Sequence, residues 1–270
     1  MKEFVLTAKE IIYICALHGA KEVAGVEDVF LSVPAESLVR EVERIKNSLI
    51  EKGCLDMDFD GNYSSTQDTD ALVDMITRSD IRIAFFSEND GNRKYGMIYV
   101  KDDMICLSER SDELYRIKPI SLQDIATYFI PLFRFAKKDA DTNDAISVHA
   151  QVLAYAKEQY VGKKKTHAKK TLCDAGMDEK TAELLLSAYG GKASYLSVKL
   201  DHLVSGEVFS DGLIFITDGE IAADIGFNRE SEEDVFVIRK TDSASEKELF
   251  RSILAKYRLL SSEAEDHGQP

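Results

Sequence analysis

A twelve-residue stretch that occurs twice decides the fold, and its first copy reads Gly96-Met97-Ile98-Tyr99-Val100-Lys101-Asp102-Asp103-Met104-Ile105-Cys106-Leu107. The second copy reads Gly212-Leu213-Ile214-Phe215-Ile216-Thr217-Asp218-Gly219-Glu220-Ile221-Ala222-Ala223. Each copy consists of two β-type runs around a two-residue turn, and an offset of 116 residues aligns them (212 − 96 = 116). Asp218-Gly219 is a strong hairpin signal, because glycine adopts the positive φ of a type I′ turn, and Asp102-Asp103 is a weaker one. The repeat predicts two related halves.

The composition is that of an acidic globular protein of 270 residues, 44% of which are hydrophobic. A chain of this size can form one large domain or two of ordinary size. The formal net charge of −14 argues against binding to nucleic acid, which requires clustered Lys and Arg, and against binding to anionic membranes. The apolar run from Ile11 to Leu17 is too short for a signal peptide or a membrane span, so we expect a cytoplasmic protein.

The cysteines lack the C-x-x-C spacing of redox and zinc motifs. We expect buried free thiols, as in a reducing cytoplasm, at Cys15, Cys54, Cys106 and Cys173.

The first half is predicted to contain three helices, four β-type runs and a closing helix. Thr7 and Glu10 form a capping box at the start of the first helix. A short strand is predicted at Val29–Val33, followed by a helix that Gly53 ends and by a third helix that Thr66 can cap. The four β-type runs are Ile81–Phe86, Tyr95–Lys101, Met104–Leu107 and Leu114–Ile117. The closing helix is Leu122–Phe135.

The second half repeats this order. A helix with Val148 on its apolar face comes first, the basic segment Lys163–Lys170 leads into a second helix, and a third begins near Asp178. Four β-type runs follow, and Ser243 with Glu246 makes a capping box for a final helix. The runs are Tyr195–Leu200, Gly212–Thr217, Glu220–Ile225 and Val235–Ile238.

These elements predict an α/β (α+β) fold of two pseudo-twofold-related halves. Each half has helices, a four-run antiparallel β unit and a closing helix, and together they form a central, mainly antiparallel sheet. The halves are residues 1–136 and 146–260, with a polar linker at 137–145 and a disordered tail at 261–270.

No motif of a known catalytic chemistry occurs in the sequence. A Gly-rich phosphate loop, a G-x-S-x-G elbow and an H-E-x-x-H helix are all missing, and the five histidines have no ligand spacing. We therefore expect a protein that is not an enzyme, with no catalytic residues, no cofactor and no metal.

One acidic stretch offers an alternative function. Asp56, Asp58 and Asp60 match positions 1, 3 and 5 of a calcium loop, but Gln67 at position 12 cannot supply the bidentate carboxylate. A small calcium-responsive interaction module is one interpretation, and an acidic turn between helices is the simpler one.

Residues 5–64 also have the helix, strand, helix and turn order of a winged-helix transcriptional regulator. Through residue 64 there are 7 Lys and Arg against 12 Asp and Glu, a net charge of −5 (7 − 12), whereas a DNA reader needs the opposite sign. A basic cluster occurs later and is typical of a solvated helix face; it consists of Lys163, Lys164, Lys165, Lys169 and Lys170.

A series of short stretches along nearly the whole chain carries a family resemblance. They are Leu6-Thr7-Ala8-Lys9-Glu10, Leu49–Leu55 followed by Asp60-Gly61, Asp70-Ala71-Leu72, Ser79–Ile83, and the hairpins Met97–Leu107 and Leu213–Ala223. In this order they resemble the EspG-type chaperones of type VII secretion. The chain departs from that family in having no Trp, which is common in the first helix of its members.

The resemblance implies a non-enzymatic, cytosolic protein that binds the helical tip of a secretion substrate, keeps it soluble and helps to deliver it. The use of Lys, Glu and Ile is typical of a low-GC Gram-positive bacterium, so we expect a helical LXG- or WXG-type substrate. We expect no nucleic-acid or membrane partner, and a monomer or weak dimer when the chaperone is free.

The resemblance also implies where a substrate binds, because the family uses the loop between its second and third strands. Counting Val29–Val33 as the first strand, this loop is Glu88–Lys94, and its repeat partner is His202–Ser210. The predicted partner-binding residues are Glu88, Asn89, Asp90, Asn92, Arg93, Leu203, Val204, Val208 and Phe209. The four apolar residues of the second loop either are exposed for a client or fold back onto the sheet.

Overall fold

The computed structural model describes residues 1–27, 29–30, 33–89, 91–129, 145–204, 207–228 and 235–241, and positions 252 and 255. The helices of these residues are α1 (Ala8–Leu17), α2 (Ala35–Glu51), α3 (Gln67–Arg78), α4 (Leu122–Phe129), α5 (Ala150–Val161), α6 (Lys165–Asp174) and α7 (Glu179–Tyr189). None of the helices in this part of the chain is long and apolar enough to cross a membrane.

The strands are β1 (Phe4–Thr7), β2 (Leu55–Met57), β3 (Tyr63–Ser65), β4 (Ile81–Asn89), β5 (Asn92–Lys101), β6 (Met104–Ser111), β7 (Leu114–Pro119), β8 (Ala145–His149), β9 (Ser194–Val204), β10 (Glu207–Thr217), β11 (Ala222–Asn228) and β12 (Val235–Thr241). Ten of them form one sheet in the order β1-β7-β6-β5-β4-β9-β10-β11-β12-β8, while β2 and β3 form a separate hairpin. The pairs β1–β7, β5–β6, β6–β7, β10–β11, β11–β12 and β12–β8 are all antiparallel. The predicted α+β class and mainly antiparallel sheet are confirmed.

Contacts within the chain define two compact units. Unit 1 contains Met1–Ala84, Tyr95–Ser121 and Leu200–Ser210, and unit 2 contains Phe85–Lys94, Leu122–Lys199 and the described residues of Asp211–Pro270. This division differs from the sequence halves, because the chain passes from one unit to the other several times.

Several predictions fall outside the described residues. These are the linker up to residue 144, the tail at 261–270, the end of the closing helix beyond Phe129, Asp90, and the capping box of Ser243 and Glu246.

The core of unit 1 lies between α1–α3 and one face of β5–β7. Leu6, Ile11 and Leu72 are fully buried in it. Tyr99 is also buried, and its hydroxyl donates a hydrogen bond of 2.7 Å to the carbonyl oxygen of Ala24. A buried phenol needs such a partner, so this bond lets a polar aromatic residue fill the core.

The core of unit 2 lies between α5–α7 and one face of β8 and β10–β12. Its buried residues are mostly small aliphatic side chains from the helices and strands, such as Ala156, Leu185 and Ile238. Asp178 caps α7 as predicted, since its Oδ1 accepts hydrogen bonds from the backbone N–H groups of Lys180 and Thr181.

The predicted free thiols are confirmed for all four cysteines, of which Cys15, Cys54 and Cys106 are buried and Cys173 is half-buried. Burial raises the pKa of the Cys15 thiol to about 12, so this thiol is inert at neutral pH.

The two copies of the repeated stretch lie in the hairpins β5–β6 and β10–β11. The registers of these hairpins show that the 116-residue offset between the two copies is wrong by one residue. Tyr99 is paired with Cys106 in the first hairpin. Ile216 is paired with Ala223 in the second. Both residues of the second pair follow their counterparts by 117 positions (216 − 99 = 117 and 223 − 106 = 117).

The corrected offset also moves the turn of the second hairpin. Asp102 and Gly219 become equivalent (219 − 102 = 117), and both have left-handed backbones, with φ of 51° and 91°. The two-residue turn is therefore Gly219-Glu220 and not Asp218-Gly219. Asp218 instead accepts hydrogen bonds on Oδ1 from the backbone N–H groups of Glu220 and Ile221, which supports the turn from its first corner.

The error has a physical origin in the burial of both faces of β5. Met97, Ile98, Tyr99 and Val100 are all buried, so the hydrophobic pattern carries no information about which residues face the helices. A slip of one residue exchanges the faces of a strand, and only the observed register fixes them.

Three predicted elements differ from those observed. Val29, Phe30 and Val33 are not in a strand, and residues 31–32 lie outside the described part. Val29 and Phe30 instead pack against the core of unit 1 from an irregular segment, which removes the strand that the winged-helix interpretation needs. Leu6 and Val148, predicted at helix starts, are in β1 and β8, where the strand runs directly into the helix.

The capping box at α1 is confirmed and is part of a larger network. The Glu10 side chain is 4% exposed, and its carboxylate accepts hydrogen bonds from the backbone N–H of Thr7, from Ser48 Oγ at 2.6 Å and from Lys52 Nζ at 2.7 Å. Burial acts to raise the pKa of Glu10, but the bonds from Lys52, Ser48 and Thr7 outweigh it, and the pKa lies below its ordinary value. One carboxylate thus joins the β1–α1 junction to α2.

Glu10→Gln should lower the free energy of unfolding by about 2 kcal/mol at pH 7, because the amide loses the charged bond to Lys52. The folded pKa is lower than the unfolded value, so the stability contributed by the charged Glu10 is present above about pH 4.5 and is lost as the pH falls through the folded pKa. Urea unfolding at pH 7 and pH 3 should show a smaller difference between variant and wild type at pH 3.

Glu43→Gln is the matched control, since Glu43 is exposed and, among the described residues, forms its ion pair with Lys46 on the same helix. It should change stability by no more than about 0.5 kcal/mol. An equal loss in both variants would contradict the role of the Glu10 network.

Candidate functional site

The predicted polar loop 88–94 is mostly strand. β4 continues to Asn89 and β5 begins at Asn92, so the connection is reduced to residues 90–91. Glu88 and Arg93 form an ion pair across the hairpin, with Arg93 Nε 3.2 Å from Glu88 Oε2. We call Glu88, Asn89, Asn92 and Arg93 the polar tip.

Contacts within unit 2 fix the polar tip at its base. Asn89 Oδ1 accepts a hydrogen bond of 3.0 Å from Ser194 Oγ, at the start of β9. The rings of Phe86 and Tyr195 lie 5.7 Å apart beside it. Asn92 and Arg93 are exposed. The tip therefore presents polar groups from an ordered base rather than from a loose loop.

The second predicted loop, 202–210, is also mostly strand. β9 continues to Val204 and β10 begins at Glu207, and the connection at 205–206 lies outside the described residues. The backbone N–H of Leu203 donates a hydrogen bond of 2.8 Å to the carbonyl oxygen of Asp80, within unit 1. The hairpin is thus held along its β9 side.

The end of this hairpin exposes apolar side chains, which we call the apolar tip. Val204 is 42% exposed, Val208 59% and Phe209 50%. Leu203 is half-buried and lies behind them. The sequence left open whether these four side chains are exposed or fold back onto the sheet, and three of them are exposed. No other described hairpin end of the main sheet exposes as many large apolar side chains.

The acidic stretch proposed for calcium forms the β2–β3 hairpin. Asp58 Oδ1 accepts hydrogen bonds from the backbone N–H groups of Asp60 and Asn62, and Oδ2 accepts one from Asn62 Nδ2. The side-chain bond from Asn62 contributes most to lowering the pKa of Asp58. The carboxylate thus stabilises its own turn, and the described residues contain no cluster of three His, Cys, Asp or Glu side chains able to hold a metal.

One serine, histidine and aspartate group meets in unit 1, and its geometry does not fit a catalytic relay. Ser65 Oγ lies 3.0 Å and Asp70 Oδ1 3.4 Å from the same nitrogen, Nε2 of His18. A relay requires the two partners on opposite ring nitrogens, so that the histidine can pass a proton between them. The group instead links the end of α1 to the start of α3.

Sequence reasoning missed two features of these surfaces. Phe59 is fully exposed at the end of the β2–β3 hairpin, although an aromatic residue among aspartates was a visible signal. Asp224 is buried in β11, and its Oδ2 accepts no hydrogen bond from any residue that the structure describes, with Arg239 Nε 3.5 Å away. Burial raises the pKa of Asp224 despite Arg239, and nothing in the apolar pattern of β11 predicted a buried acid there.

No protein-family model matches the chain, and no curated protein matches it. Among solved structures it is similar to EspG5, the type VII secretion system chaperone of Mycobacterium tuberculosis, in complex with the PE25–PPE41 dimer. The TM-score is 0.61 at 12% sequence identity, and the match covers 93% of this chain and 94% of that one. At this identity the likeness shows the fold alone: the chain has the fold of an EspG-type chaperone, as the sequence resemblance predicted.

Proposed function

We propose that the protein is a cytosolic chaperone or adaptor that binds a helical type VII secretion substrate and keeps it soluble for export. The observation that carries this proposal is the likeness to EspG5 over 93% of the chain, because that chaperone was solved with a PE25–PPE41 dimer. The proposed function is binding without catalysis, since holding a client requires an accessible surface rather than converging reactive groups.

We propose that both hairpin ends contact the client. The apolar tip supplies Val208 and Phe209, whose burial against a client helix would contribute most of the binding energy. The polar tip, together with Asp90, which follows Asn89 in the sequence, supplies a rim of Asn and charged side chains that sets the orientation. Support for this division comes from the exposure of each tip and from the ordered base of each hairpin.

We infer the client class from composition. The low-GC type of residue usage favours an LXG- or WXG-type helical protein encoded nearby over a PE–PPE pair. A net charge of −14 would keep the free chaperone dispersed, as a monomer or weak dimer, while it exposes an apolar tip.

We also infer that the chain arose by internal duplication into pseudo-twofold halves, 1–136 and 146–260. The strand order supports it, because β1 beside β7 at one edge matches β8 beside β12 at the other. Burial supports it too, because Leu6 and Val148 are both 1% exposed and each lies two residues before the first residue of a helix.

Val208→Ala with Phe209→Ala should change the free energy of unfolding by no more than about 0.5 kcal/mol, because both side chains are exposed. Phe215→Ala, in the same strand but 3% exposed, should cost about 3–5 kcal/mol. Thermal and urea unfolding of both variants measure this contrast. A large loss in the tip variant would mean that the apolar tip is packed in solution.

The same tip variant should weaken client binding about 30-fold, which corresponds to ~2 kcal/mol at a hot spot. The measurement is co-expression with the helical LXG- or WXG-type protein encoded beside this chain, followed by titration of the purified partners.

Leu38→Ala with Val39→Ala is the matched control, because these side chains on α2 are exposed and apolar but distant in sequence from either tip. It should bind as the wild type does. A complex that is insensitive to the tip variant would move the site elsewhere, whereas no complex with any helical neighbour would contradict the chaperone function itself.

A further inference from the structure

The end of the β2–β3 hairpin in unit 1 exposes an aromatic side chain to solvent. Phe59 is fully exposed, and Met57 beside it is 57% exposed. Asp56, Asp58 and Asp60 alternate with them, and within the described residues none of these three forms an ion pair. We call residues 56–60 the acidic tip.

The acidic tip is ordered by its own hydrogen bonds. Besides the three bonds to the Asp58 carboxylate, the backbone N–H of Asp58 donates to the carbonyl oxygen of Asn62 at 3.0 Å, and Gly61 has a left-handed φ of 79°. A surface fixed before binding loses little conformational entropy on association. Phe59 is therefore presented ready to enter a cavity.

A cavity with the complementary chemistry lies in unit 2, at the turn between α5 and α6. It measures about 410 Å³ and is lined by Tyr155, Gln159, Lys163, Lys164, Lys165, Thr166 and His167. We call it the basic cavity. Tyr155 is 46% exposed and stands edge-on to the ring of His167, with the centroids 6.2 Å apart.

The lysines of the basic cavity are not neutralised within the described residues. None of Lys163, Lys164 and Lys165 forms an ion pair there, although the Lys165 ammonium lies 5.5 Å from the centre of the Tyr160 ring, whereas Lys169 in α6 binds both Glu179 and Glu183. Three lysines without a carboxylate partner among these residues thus surround an aromatic wall, and three aspartates surround Phe59. The aliphatic stems of lysine would line the cavity for the Phe59 ring.

We propose that the acidic tip of one copy of this chain docks into the basic cavity of a second copy, with Phe59 beside Tyr155. The contact is head-to-tail, because the two surfaces are different, so a pair keeps one free acidic tip on one copy and one free basic cavity on the other. Because the charges of the acidic tip and of the basic cavity are exposed, salt should weaken the contact between them. The net charge of −14 opposes growth, which favours short oligomers over long ones.

Sedimentation of the wild-type chain at low ionic strength should show a mean mass that rises above the monomer's 30.2 kDa with concentration. It should return to the monomer value in about 0.5 M salt, where the Debye length is only a few ångströms. Phe59→Ser should remain monomeric at low salt, and so should Lys164→Glu with Lys165→Glu. A glutamate near the start of α6 suits the helix dipole, so the second variant should fold normally.

The decisive sample is an equimolar mixture of these two variants. Phe59→Ser keeps an intact basic cavity and the lysine variant keeps an intact acidic tip, so together they should form a dimer of about 60 kDa (2 × 30.2) and nothing larger. Val39→Ser, an exposed apolar position on α2, should leave wild-type association unchanged.

A wild type that stays monomeric at every concentration would overturn the proposal. A mixture that fails to form the dimer, or association that survives Phe59→Ser, would overturn it as well. None of these results depends on a secretion substrate, so the outcome is independent of the proposed chaperone function.

Discussion

The two-residue period of a β-strand is the constraint on which the β5–β6 and β10–β11 hairpins depend. Side chains alternate between faces, so a strand that must bury one face against helices tolerates a shift of two residues but not of one. Tyr99 and Ile216 satisfy this constraint at an offset of 117, and both face a helical layer. Because both faces of β5 are buried, pairing with the neighbouring strand, rather than the hydrophobic pattern alone, fixes which residues face the helices.

The two buried carboxylates show how differently a protein can stabilise a charge. Glu10 accepts hydrogen bonds from three separate donors, and its pKa falls although it is buried. Within the described residues, one oxygen of Asp224 has no hydrogen-bond partner and a half-exposed Arg239 lies 3.5 Å away, and the pKa of Asp224 rises. Close hydrogen bonds from Lys52, Ser48 and Thr7 thus outweigh burial at Glu10, whereas the more distant Arg239 does not outweigh it at Asp224.

Local signals in the sequence predicted the helices, the capping box of α1 and the two hairpins, because such signals act within a few residues. Thr66 begins α3 as predicted but its side chain makes no capping hydrogen bond. β1 and β8 were missed since each is short and continues directly into a helix, so Leu6 and Val148 fit the helical pattern equally well. The strand extensions to Asn89 and Asn92 were missed because exposed strand ends carry polar residues without alternation. Only pairing with a neighbouring strand reveals them.

The sequence predicts which residues of the candidate site lie near a turn, but not whether their side chains are exposed. The sequence places Val204, Val208 and Phe209 near a turn, yet folding back and exposure are equally compatible with that pattern. The structure resolves the choice by exposure: the β9 side of the hairpin is held by the bond from Leu203 to Asp80, and Val204, Val208 and Phe209 are exposed. A small exposed area in turn limits aggregation of the free protein, and a strongly acidic surface limits it further.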